Sequence, residues 1–196
     1  MNKKEIGQAV IILGIAALMS FGASWLPKKE ETVVGLAIKN RWTGEIIFQS
    51  TKTTYKEAVA EVLSHNVNLR DANLSDSNLR NADLRDSDLS NANLRGVNLS
   101  GADLSGANLS GVNLRDSDLV NANLRDSDLS DSNLIDSDLS DSNLSDSDLS
   151  GVNLSGANLS GAEMQNAKFY GRGGTKELKK SQITDFLAAL GFVVVD

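Results

Sequence analysis

The chain has 196 residues, no cysteine, one histidine and a formal net charge of −7 at pH 7. Without cysteine there is no disulfide framework, no thiolate metal site and no thiol nucleophile, and a single imidazole cannot build a histidine metal centre. The charge is unevenly placed. Residues 67–170 hold sixteen Asp and one Glu against six Arg and one Lys, a net of −10, which leaves +3 for the remainder and argues against direct nucleic-acid binding.

The first element is an uncharged run from Ile6 to Pro27, bounded by Lys3 and Lys4 before it and Lys28 and Lys29 after. As a helix, Ile6–Leu26 reaches about 32 Å, enough to cross a hydrocarbon core of about 30 Å. Trp25 sits where an interfacial aromatic anchors a span. The expectation is a single-pass N-terminal anchor over residues 1–31, with the membrane as location and partner. A cleaved signal peptide followed by export is the alternative, with Ala9–Phe21 as its apolar core and Gly22-Ala23-Ser24 as the cleavage site.

Residues 32–66 read as a hairpin followed by a helix. Val33, Val34, Leu36 and Ile38 lead into a turn at Thr43-Gly44, and Ile46, Ile47 and Phe48 lead out. Thr54 and Glu57 have capping-box spacing, and Tyr55, Ala58, Val59, Val62 and Leu63 recur at helical period. His65, just before the repeats, reads as a surface or capping residue rather than a catalyst. Hairpin and helix together are expected to cover the open end of the repeats that begin at Val67.

From Leu69 to Phe169 an apolar residue stands at every fifth position: nineteen leucines, then Met164 and Phe169. Two residues before each is a small side chain, such as Ala72, Ser77 or Ala82, and Asn or Asp immediately precedes every leucine. A period of five fits neither a helix nor a strand and requires a path that turns a corner every five residues. Units such as Ala72-Asn73-Leu74-Ser75-Asp76 closely resemble the pentapeptide-repeat family, over about half the chain. That resemblance implies an all-β solenoid, a right-handed quadrilateral β-helix with one unit per side and four units per coil, over 67–170. At twenty residues per coil the rod is about 25 Å long. Residues 171–196, with Ile183, Phe186, Leu187 and Leu190 at helical spacing, read as a C-terminal helical cap and a candidate homodimer contact.

Inside such a coil each Leu points inward and the small residue occupies a crowded inward position. Ser117, Ser127, Ser132, Ser137, Ser142 and Ser147 then bury hydroxyls that need backbone partners, and no base is spaced to activate one. Asn73, Asn93, Asn113, Asn133 and Asn153 stack as an amide ladder. Counting by twenty also sets Asp116 over Asp136, Asp118 over Asp138, Asp126 over Asp146 and Asp128 over Asp148, which places like charges together. These eight form the candidate acidic interaction surface; a plain solvated surface and weak, nonspecific cation binding are the alternatives. No catalytic group, metal site or cofactor motif is expected. The functional expectation is a non-enzymatic, membrane-anchored interaction rod or scaffold for a protein partner with a basic surface. The resemblance implies a further possibility. Some family members linked to quinolone resistance resemble B-DNA and bind DNA gyrase in its place, so a DNA-mimicking regulator of a type II topoisomerase is the alternative.

Overall fold

Each leucine carbonyl accepts a hydrogen bond from the N–H three residues later, as in Ala72 N–H to Leu69 O (3.0 Å) and Ala92 N–H to Leu89 O (2.9 Å). Every fifth residue therefore closes a β-turn. The residue two after each leucine carries a positive φ, from 52° at Asn81 to 77° at Gly156, the pattern of a type II turn that favours Gly, Asn and Asp. This explains a constraint on the repeat beyond the leucine: Asp, Asn or Gly stands at that place in every unit from Leu69 to Met164.

Corners repeated at this interval wind the chain into a coil of twenty residues. Parallel bridges join Asn73 to Asn93, Asn93 to Asn113, Asn113 to Asn133 and Asn133 to Asn153, and three equivalent ladders occupy the other sides. Leu74 N–H donates to Asn93 O and Asn93 N–H donates back to Ala72 O, both at 2.8 Å, so consecutive coils are stitched in both directions. We number the sides by their first leucine: side 1 at Leu69, side 2 at Leu74, side 3 at Leu79 and side 4 at Leu84. The leucines from Leu69 to Leu159 are at most 1% exposed and form one continuous core.

The computed structural model describes residues 35–169. Before the coils, β1 (Ala37–Asn40) pairs antiparallel with β2 (Ile46–Gln49). The turn between them is held by Asn40 Oδ1, which accepts the N–H groups of Trp42 and Thr43, and by Gly44 at φ 73°. β1 also pairs with β3 (Ala72–Asn73) in the first coil, giving the sheet order β2-β1-β3. Helix α1 (Tyr55–Ser64) comes after β2 in the chain, its first turn closed by Thr54 Oγ1 accepting the Glu57 N–H. Ala58, Val59 and Val62 of α1 and Ile38 of β1 join the buried cluster that contains the leucines. His65 ends the helix: its Nδ1 lies 2.7 Å from Glu61 O and its ring 5.5 Å from that of Phe48.

The expected membrane location through a single-pass anchor is corrected here. Among the described residues no helix is long and apolar enough to cross a membrane. The ten residues of α1 span about 15 Å, half the thickness needed. Ile6–Leu26 and the alternative signal peptide lie outside the described residues, as do the expected C-terminal cap and dimer contact at 171–196.

Candidate interaction surface

Asn or Asp before each leucine has a local task. Its Oδ1 accepts the N–H two residues later, across the corner, as in Asn78 to Arg80 (3.1 Å), Asp118 to Val120 (3.1 Å), Asp128 to Ser130 (2.9 Å) and Asn143 to Ser145 (2.9 Å). Both residue types supply that oxygen equally, so the fold requires an acceptor here and leaves the charge free. The expected amide ladder is present at Asn93 to Asn73 (3.0 Å) and Asn113 to Asn93 (3.2 Å), and an amide also donates to a carboxylate, Asn123 to Asp103 (3.0 Å).

Of the inward serines, Ser117 donates to Leu94 O, Ser127 to Leu124 O, Ser137 to Leu134 O, Ser142 to Leu139 O and Ser147 to Leu144 O, at 2.5–2.8 Å. Ser132 Oγ has no partner, and neither does Ser77 Oγ.

The eight candidate aspartates stack pairwise but do not form one surface. Asp118 and Asp138 are bridged partners on side 3, and Asp128 and Asp148 are bridged partners on side 1. Asp116 and Asp136 sit at the corner between sides 2 and 3, and Asp126 and Asp146 at the corner between sides 4 and 1, all with φ of 56–62°. The two quartets differ by ten residues, half a coil, so the structure places them on opposite sides of the rod.

The corner carboxylates are also less bare than their stacking suggests. Arg95 reaches Asp116 at 3.1 Å, Arg115 reaches Asp116 at 3.5 Å and Asp136 at 3.4 Å, and Arg125 reaches Asp126 at 3.3 Å and Asp146 at 2.9 Å. Three of these contacts span twenty-one residues, from a position just after one leucine to the corner one coil later. The twenty-residue register does not set that offset, which depends on the reach of the arginine side chain. All the pairs are solvent-exposed, so each is worth about 0–1 kcal/mol and serves mainly to dissipate like-charge repulsion.

Asp83 is held down at about 2 by the guanidinium of Arg85, whose Nε and Nη2 donate to its two oxygens at 2.8 and 2.7 Å. On side 1, Asp148 lies below the usual carboxylate range through hydrogen bonds from Ser150, with Lys168 adding attraction. Beyond Arg125 the balance changes. Residues 127–169 carry seven Asp and one Glu against Lys168 alone, a net of −7. Among the described residues no cluster of His, Cys, Asp or Glu could hold a metal ion.

The geometry defines a β-solenoid of five-residue sides with a polar exterior. The family model for pentapeptide repeats matches residues 65–101, 98–136, 107–146 and 137–171, with eight copies. The chain belongs to the pentapeptide repeat family, whose members form right-handed β-helices. Among solved structures it is similar to HetL, a pentapeptide repeat protein involved in heterocyst differentiation regulation from the cyanobacterium Nostoc sp. strain PCC 7120. Identity there is 31%, over 53% of this chain and 57% of that one, with a TM-score of 0.41, so this chain spans little more than half the length of that relative. A pentapeptide repeat protein of the Arabidopsis thaliana thylakoid lumen is similar at 24% identity, over 60% and 75% of the two chains, with a TM-score of 0.39. QnrB1, a plasmid-mediated fluoroquinolone resistance protein, is similar at 22% identity, over 65% and 70%, with a TM-score of 0.26. A search of curated proteins finds no match.

Proposed function

We propose that the chain is a non-enzymatic protein-interaction rod whose two acidic sides dock a partner with a basic surface. The observation that carries this reading is the freedom of charge at the position before each leucine. Asn and Asp meet the same backbone need there, yet Asp stands at 118, 128, 138 and 148, next to the arginine-poor end of the rod. Charge placed without a structural need is available for recognition and for steering a partner of opposite sign. The experiment is affinity capture from cell extract on immobilised full-length chain, beside a variant with Asn at 116, 118, 126, 128, 136, 138, 146 and 148. Basic proteins retained by the wild type alone support the reading, and identical retention by both removes the acidic sides from it.

A second reading is a DNA-mimicking regulator of a type II topoisomerase such as gyrase. The opposed placement of the two aspartate quartets favours it, because a duplex also presents its charge along two separated lines. Inhibition of supercoiling by the wild-type chain, lost in the eightfold variant, supports this reading; absence of inhibition at micromolar concentration rejects it.

A further inference from the structure

The first coil has no coil before it, and the hairpin covers only part of its edge. From Asn93 onward the residue preceding each leucine is paired backward on both backbone groups: Asn98 N–H donates to Ser77 O, and Asn98 O accepts from Leu79 N–H. In the first coil, Lys39 of β1 takes this role opposite Asn73 on side 2. One side further on, neither the N–H nor the carbonyl of Asn78 has a backbone partner among the described residues. An unpaired edge of this kind is a template for another strand.

The edge does not open onto bare solvent. It borders a groove of about 480 Å³ lined by Leu36, Thr53, Tyr55, Lys56, Asn78 and Arg80, among others. Arg70, Arg85, Arg95, Arg115 and Arg125 each lie within 4 Å of an aspartate, whereas Arg80, alone of the six repeat arginines, has no such partner among the described residues. Lys56 has none either. Thr54, at the start of α1, is engaged with Glu57, so the helix terminus is not the attraction. The groove thus combines a hydrogen-bonding edge, an apolar wall from Leu36 and Tyr55, and two uncompensated cations on a body of net negative charge.

We infer that this groove is a strand-addition site for an extended acidic segment of a partner protein. The segment's backbone pairs with Asn78, and a carboxylate side chain meets Arg80 and Lys56. Main-chain bonds give such docking its affinity and the flanking charges its selectivity. The inference is independent of the acidic sides, because its residues belong to the first coil and the segment before it.

The test uses the full chain and two acetylated, amidated hexapeptides, one alternating valine with glutamate and the other valine with lysine. Binding is followed by isothermal titration calorimetry, and amide hydrogen exchange at Asn78 by NMR. The glutamate peptide should bind and slow exchange at Asn78. The double variant Lys56→Ala/Arg80→Ala, whose changes are at the surface, should weaken it about tenfold, the equivalent of one charge-assisted hydrogen bond. Arg95→Ala, remote from the groove, should leave it unchanged. Equal binding of the lysine peptide, no protection at Asn78, or an unaffected double variant would each overturn the inference. So would protection of Asn78 that rises with protein concentration in the absence of peptide, since the occupant would then be a second copy.

Discussion

Replacing Leu119 with Asp separates the inward from the outward positions of the repeat. Leu119 is fully buried on side 3, between Leu99 and Leu139. Removing its side chain forfeits about 2 kcal/mol of burial. A carboxyl in that apolar column has its pKa raised by about 3–5 pH units, which adds about 4 kcal/mol at pH 7, the cost of holding it protonated about three pH units above its unfolded pKa. The total is comparable with the whole stability of an ordinary domain, about 5–15 kcal/mol. The sign with pH is distinctive. The folded pKa lies above the unfolded value of about 3.9, so the ionisation cost is absent below about pH 3.9 and grows as pH rises toward the folded value. Val120→Asp, one residue on and half-exposed, should cost less than about 1 kcal/mol. Urea denaturation of wild type and both variants at pH 4 and pH 7 is the assay. Equal midpoints for Leu119→Asp and Val120→Asp, or a Leu119→Asp deficit that does not shrink in acid, would refute the assignment of leucine to the interior.

The side-chain hydrogen bonds have consequences of their own. Ser132→Ala removes a buried hydroxyl without a partner and should leave stability unchanged or raise it by up to about 1 kcal/mol, whereas Ser142→Ala loses a bond to Leu139 O and should lower it by about 1 kcal/mol; thermal melts compare the two. Asp118→Ala deprives the Val120 N–H of its acceptor and should cost about 1 kcal/mol, while Asp118→Asn keeps the oxygen and should fall within about 0.5 kcal/mol of wild type in urea. Asp83 titrates at about 2 because of Arg85, so its ion pair is intact above the unfolded carboxylate value and fades as pH falls toward 2. Arg85→Ala should raise the Asp83 carboxyl from about 2 toward, but not fully to, about 3.9 in an NMR titration, because the backbone N–H at position 85 still donates to it.

The architecture is legible in the sequence because three constraints repeat in phase: leucine inside, a small residue two before it, and a carbonyl-type side chain between them. The leucine period alone shows the coil. The corner geometry is less legible, because Asp, Asn and Gly look like a mixed polar position until φ reveals a left-handed residue that all three tolerate. The stacked aspartates are also readable, since a twenty-residue period fixes which carboxylates lie over one another. Their division onto opposite sides comes from the same period taken at half a coil. What the period hides is the company they keep: an arginine just past one leucine pairs with a corner twenty-one residues later, and this depends on side-chain reach rather than on register. The unpaired edge at Asn78 is equally hidden, because its unit has the same pattern as the rest and differs only in having no coil before it.

If the aspartates on sides 1 and 3 and at their corners carry charge the fold does not need, that charge can be removed without cost to folding and with loss of binding. The decisive measurement is the urea midpoint of the eightfold Asp→Asn variant at 116, 118, 126, 128, 136, 138, 146 and 148, taken with its retention of basic proteins at low and rising salt. The midpoint should correspond to within about 1 kcal/mol of wild type, because the lost ion pairs are exposed and the relieved repulsion offsets them. Retention by the wild type should be salt-sensitive and absent from the variant. A variant that unfolds would show the charge to be structural, and one that folds and keeps every partner would show it to be idle; either result contradicts an acidic recognition surface.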